Sequence, residues 1–253
     1  NADNLGAVVD PAILGYLVHN DVPFLMEVAD RTTADRKGGH LARRQSDGQL
    51  LLRERAQCPE DALHRFEDIE RYRYFNTNSL WIHLPTVRRL ITERDGVLGL
   101  PLIVNRKPLD PRLPDSPGVF QLECAMGAAI ATIPGAQAMR VSRARFAPVK
   151  TTEDLLAVRS DAYRLTADHQ VMPDPDRDPA LPPLDVRLDG RYYKLIDQLE
   201  ERFPHGAPSL LACHSLEIQG DVRFGRDVRC EGRVRLEAAD GPLIVADGEV
   251  LSG

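Results

Sequence analysis

The feature that most restricts this fold lies near the C-terminus, where Leu216, Val222, Val228 and Val234 recur every six residues. Ile218, Phe224, Cys230 and Leu236 repeat the interval two positions later, and Gly220, Gly225 and Gly232 sit near the corners. A six-residue period with paired inward positions marks a hexapeptide parallel β-helix, in which each hexad forms one face of a triangular coil. Four hexads make little more than one coil, so residues 209–253 are expected to form a small cap-like domain.

The preceding residues alternate helix and strand signals, the rhythm of an α/β sheet. Asp10 can cap and Pro11 open a helix over 11–18, and the apolar run 24–28 suits a buried strand. Ser46-Asp47-Gly48 between two extended runs predicts a β-hairpin. Aromatic and β-branched residues over 72–84 precede a helix over 86–94. A buried strand is predicted at 100–104, a proline-rich loop at 110–118, and a small-faced helix carrying Cys124 at 120–133. Residues 140–149 alternate as a strand would. Thr151 and Asp154 are spaced to cap a helix over 155–163. A Pro/Asp-rich linker at 172–183 leads to a helix over 192–202 whose apolar stripe covers the sheet.

Composition excludes several classes. A formal net charge of −6 over 253 residues leaves no basic footprint for nucleic acid. Cys58, Cys124, Cys213 and Cys230 form no CxxC pair, which argues against a zinc ribbon or disulfide framework and fits a reducing cytoplasm. No apolar run nears the roughly 20 residues that span a bilayer. The histidines lack HxH, HxxxH and HExxH spacings, and no GxSxG elbow is present.

Three groups of residues can carry chemistry. Asp3, within Asn1-Ala2-Asp3-Asn4, could hold a magnesium ion beside phosphate oxygens; equally, it could cap a turn. Lys150, just before the capped helix, offers a mobile ammonium for phosphate, or is an ordinary solvated lysine. Glu54 with Asn76 and Asn78 could bind sugar hydroxyls. Glu54 could instead pair with Arg53 or Arg55, and Asn76 could simply fix a turn, which makes Asn78 the preferred ligand.

Taken together, the stretches Asn-Ala-Asp-Asn-Leu-Gly-Ala (1–7), Ala-Asp-Arg-Lys-Gly-Gly (34–39), Glu54-Arg55-Ala56-Gln57, Phe75-Asn76-Thr77-Asn78-Ser79-Leu80-Trp81, Gln121-Leu122-Glu123 and Arg145-Phe146-Ala147-Pro148-Val149-Lys150-Thr151-Thr152 resemble the eukaryotic-type UDP-glucose pyrophosphorylase family. They occur in the family's order and, with the β-helical tail, span essentially the whole chain. The resemblance implies an α/β fold, a Rossmann-like (GT-A-like) nucleotidyltransferase mixed sheet with a C-terminal left-handed β-helix. Residues 1–170 would be the C-terminal part of the catalytic domain, 171–208 a linker and helix, and 209–253 the β-helix. It implies that Asp3 holds Mg²⁺, that Lys150 is the catalytic lysine on the nucleotide phosphates, and that Asn1, Ala2, Asp3, Glu54 and Asn78 line the substrate site. Lys37-Gly38-Gly39 would be a nearby loop.

UTP, glucose 1-phosphate, UDP-glucose and pyrophosphate would be the ligands, with homo-oligomers formed through the β-helix. The family's glycine-rich triphosphate loop and uracil-reading segment are missing. The chain is therefore expected to be part of a longer enzyme and inactive alone. Val8 and Ser79 stand where threonine and asparagine are usual, and the loop before Val119 is longer. The alternatives are the same transfer to another sugar 1-phosphate and a non-catalytic assembly module.

Overall fold

The computed structural model describes residues 2–32, 35–239 and 241–253. They form two compact units, one of residues 9–143 and one combining residues 2–8 with 144–253. In the first unit, Asp10 caps α1 (Pro11–His19) by accepting from the Ala12 and Ile13 amides. There follow β1 (Phe24–Asp30), β2 (His40–Arg43), β3 (Leu50–Arg53), the short α2 (Leu63–Phe66), β4 (Tyr74–Ile82), α3 (Leu84–Glu93), β5 (Leu102–Pro108), β6 (Gly118–Cys124) and β7 (Gln137–Arg140). The main sheet runs β3-β2-β4-β1-β7, with β1 and β7 parallel and the other pairs antiparallel. Central β1 is covered on both faces. Phe24, Met26 and Val28 pack with Leu90 and Ile130, while Leu25 packs with Ile13 and Val22. This two-sided burial explains why β1 reads as an unbroken apolar run.

Three expectations are corrected here. Residues 120–133 are not a helix: β6 pairs antiparallel with β5, and a 3₁₀ segment, Met126–Ala131, follows. The alternation Phe120, Leu122, Cys124 against Gln121 and Glu123 is a strand period, which the alanine run after it obscures. The strand near residue 100 is exposed rather than buried, since the β5–β6 ribbon leaves Phe120 and Leu122 open to solvent. Cys124 is accordingly exposed and not a packing residue. The strand predicted over 140–149 is also absent, because β7 ends at Arg140 and a 3₁₀ turn occupies Arg143–Arg145.

The second unit contains α4 (Thr152–Arg159), β8 (Tyr163–Leu165), β9 (Val171–Pro173), β10 (Asp185–Leu188), α5 (Ile196–Arg202), β11 (Cys213–Gln219), β12 (Val222–Phe224), β13 (Arg229–Glu237), β14 (Leu243–Val245) and β15 (Val250–Ser252). Helix α4 opens on the expected capping box of Thr151 and Asp154, but ends at Arg159. Helix α5 begins at Ile196, four residues later than predicted. The hexads produce two all-parallel sheets, β10-β11-β13-β15 and β12-β14. Leu216 pairs with Val234, eighteen residues or three hexads on, whereas Val222 with Leu243 and Arg229 with Val250 pair across twenty-one. Of the eight predicted inward residues seven are buried, and Leu236 is partly buried. These residues do not form a core of their own: Leu156 of α4, Tyr193 and Leu199 belong to the same cluster. Tyr193 joins them further, its hydroxyl donating to Val222 O at 2.7 Å and accepting from Val222 N at 3.2 Å. Among the described residues no helix is long and apolar enough to cross a membrane.

Candidate active site

The second unit brings its two predicted charged residues together. The Lys150 ammonium lies 3.7 Å from the Asp3 carboxylate. The approach is built by the backbone, since Val149 N donates to Asp3 O at 2.7 Å and Leu5 N to Ala147 O at 3.0 Å, around an antiparallel bridge of Asn4 with Pro148. Asn4, 4% exposed, fixes this pairing. Its Nδ2 donates to Arg145 O at 3.0 Å, and its Oδ1 accepts from Ala147 N at 2.9 Å and Gly6 N at 3.2 Å. Gly6 is required by close approach, because a Cβ there would stand 2.7 Å from the Arg145 carbonyl carbon.

The Lys150 side chain remains largely exposed, and Asp3 is about one-third exposed. Lys150 therefore follows a bridge rather than a regular strand. The helix it precedes is also less open to anions than its position implies: Asp154 Oδ2 already accepts from Lys150 N and Thr151 N, at 2.9 and 3.0 Å. The cationic group that this end leaves exposed is the Lys150 ammonium. Ala2 is exposed in the turn before Asp3, and Asn1 lies outside the described residues.

The first unit carries the predicted sugar ligands. Glu54 follows β3 and is half-buried. A Cβ on Gly39 would stand 2.5 Å from its carboxylate, so the glycine lets the 37–39 loop lie against Glu54. Gly39 O in turn accepts from Asn76 N at 3.4 Å. Asn78 adopts φ +61° in a β-bulge, where three residues of β4 oppose Glu27. Left-handed backbone is tolerated by asparagine, and bulges re-aim side chains at sheet sites. Asn76 Oδ1 accepts from Asn78 N at 2.8 Å, the turn-fixing role open to it in the sequence.

Sequence reasoning missed the residues that hold this geometry. Glu27 is fully buried; its carbonyl accepts from Thr77 Oγ1 and its carboxylate from Trp81 Nε1, both at 2.8 Å. The signal was a lone acid within the apolar run of β1. Arg31, also buried, donates to Asp35 O, Arg36 O, Phe66 O and Tyr72 O, and so shapes the approach to Lys37. No group of three or more metal-ligating side chains occurs among the described residues.

The sequence model of the UTP–glucose-1-phosphate uridylyltransferase family matches residues 1–231. The chain belongs to this family. It is 40% identical over 252 residues to the probable UTP–glucose-1-phosphate uridylyltransferase of Schizosaccharomyces pombe, covering 99% of this chain and 48% of that protein. Among solved structures, the UDP-glucose phosphorylase of Trypanosoma brucei superposes with TM-score 0.90 at 43% identity, over all of this chain and 56% of that one. A mutant UDP-glucose pyrophosphorylase from Leishmania major in complex with UDP-glucose gives TM-score 0.85 at 45% identity, over all of this chain and 55% of that one. The mixed sheet is thus that of UDP-glucose pyrophosphorylase structures. The chain spans about half the length of the family members it matches.

Proposed function

We propose that the protein containing this chain transfers the uridylyl group of UTP to glucose 1-phosphate, releasing pyrophosphate and forming UDP-glucose. The observation that carries this reading is the Asp3–Lys150 pair, 3.7 Å apart, exposed at its ammonium end and held by strand-like pairing across 147 positions of sequence. The attacking atom is a phosphate oxygen of the sugar phosphate, already an anion, so no protein nucleophile is needed. The phosphorus–oxygen bond to pyrophosphate breaks as the new one forms. Lys150 leaves Asp3 for the phosphates and neutralises charge that develops during transfer.

Asp3 fits a magnesium ion. A single partly exposed carboxylate suits a cation that keeps several waters and takes its other ligands from substrate phosphates. When bound there, Mg²⁺ would polarise phosphate oxygens. Asn1 and Ala2, next to Asp3 in sequence, would contribute to substrate binding, as would Glu54 and Asn78 through sugar and uridylyl hydroxyls. Residues 1–170 would then be the C-terminal part of the catalytic domain, 171–208 a connection, and 209–253 a left-handed hexapeptide β-helix through which subunits associate. The unpaired cysteines fit a cytoplasmic enzyme.

The test is turnover of the full-length enzyme with UTP, Mg²⁺ and the 1-phosphates of glucose, galactose and N-acetylglucosamine. Glucose 1-phosphate should be preferred. Lys150→Ala should lower kcat by about 10²–10³-fold while leaving the melting temperature unchanged. Wild-type turnover in that variant refutes the role, and preference for another sugar refutes the substrate.

A further inference from the structure

We infer that Asn4 is a positioning residue for the transfer reaction: buried beneath the site, it holds residues 145–149 so that Lys150 meets Asp3. This rests on the proposed roles of those two side chains. Asn4 is 4% exposed, so its side chain acts through the groups packed around it. Its amide donates to Arg145 O and accepts from Ala147 N and Gly6 N, three main-chain groups. An amide offers a donor and an acceptor on one planar end, which carboxylate, hydroxyl and apolar side chains do not match.

The consequence is directional. Asp3 and Lys150 lie one residue before Asn4 and one after Val149, and Val149 N donates to Asp3 O at 2.7 Å. Gln170 secures the far side, its Nε2 donating to Gly6 O at 2.9 Å. The clamp therefore sets the backbone at both charged residues, while their side chains stay free to move onto a ligand. A catalytic group displaced by about 1 Å loses on the order of 10²-fold in rate.

The experiment is a double-variant cycle in the full-length enzyme, with thermal midpoints measured for every protein. Asn4→Asp keeps the size and the acceptor but removes the donor to Arg145 O. It should lower kcat by about 10–100-fold while KM for glucose 1-phosphate moves less than about 2-fold and the midpoint changes little. Combined with Lys150→Ala, it should cost clearly less than it does alone, because placing that lysine is a large part of what the clamp does and only its hold on Asp3 is left. A purely structural role would make the two losses multiply. Should Asn4→Asp not fold, Asn4→Ser carries the same comparison, and failure of both to fold overturns a positioning role in favour of a structural one. Wild-type kcat in a folded Asn4 variant, with Lys150→Ala defective, overturns this proposal alone. Wild-type kcat in Lys150→Ala brings down the functional reading and this proposal with it.

Discussion

His40 shows how a single residue can report on the packing of the first unit. Its ring is fully buried, stacked on Tyr72 with centroids 4.1 Å apart, and lies between the guanidinium groups of Arg31 and Arg53. Burial, and then the charges of Arg31 and Arg53, push its pKa down to about 3 from an ordinary 6.5. Between those values the unfolded chain binds a proton that the folded chain refuses, so stability falls as pH drops from 6.5 towards 3 and is unaffected above 6.5. At pH 5 the loss is about 2 kcal/mol, from 1.36 kcal/mol per pH unit. His40→Phe, which keeps a ring against Tyr72 and Phe66, should abolish this part of the pH dependence. Denaturant unfolding at pH 7.5 and pH 5 tests it, and an unchanged slope in the variant contradicts the assignment. The residue also illustrates what was hidden in the sequence. His40 precedes a predicted hairpin, and nothing in its local pattern shows that Arg31 and Arg53 flank it. Asp3 and Lys150 stood out in the sequence as charged candidates, and Asn4 did not, because a side chain that holds backbone groups looks like any polar residue beside a motif.

At the level of elements, legibility followed periodicity. The hexads were readable because each inward position repeats, and seven of the eight are buried in a segment of parallel strands. The capping box of α4 was readable because its hydrogen bonds are local. The β5–β6 ribbon was misread because its strand period is short and an alanine-rich 3₁₀ segment follows directly. The segment between β7 and α4 was misread because its course is set by the clamp on residues 2–8 and not by its own alternation. Tyr193 shows how the elements of the second unit are joined. Its hydroxyl bonds both polar groups of Val222 at the start of β12, its carbonyl accepts from Thr152 Oγ1 of α4 at 2.5 Å, and burial pushes its pKa up to about 12. Tyr193→Phe leaves the ring but strands a buried amide and carbonyl. It should destabilise the unit by about 1–3 kcal/mol, read as a lower midpoint in thermal or denaturant unfolding. Stability equal to wild type would mean that water replaces the hydroxyl.

For the molecule as a whole, the question is whether the parallel-stranded segment 209–253 is an appendage or a foundation. Most of the buried core of the second unit is contributed by residues 209–253, including Leu216, Ile218, Val222 and Phe224. The remainder comes from α4, α5 and their surroundings, including the buried Leu156, Tyr193 and Leu199. The Asp3–Lys150 pair belongs to this unit, and Lys150 immediately precedes the cap of α4. A segment that served only for assembly could be removed with the Asp3–Lys150 pair intact. Here its removal would uncover Tyr193, Leu199 and Phe203, which share one buried cluster with it and with Leu156 of α4, and large-to-small losses in such cores cost about 2–5 kcal/mol per side chain, beyond the stability of an ordinary domain when several are lost together. Deletion of 209–253 from the full-length enzyme should therefore abolish turnover and give aggregated or protease-sensitive protein, observed by size-exclusion chromatography and limited proteolysis. A truncated enzyme that stays folded and active but changes its oligomeric state would show instead that the segment is a separable assembly module and that α4 is stable without it.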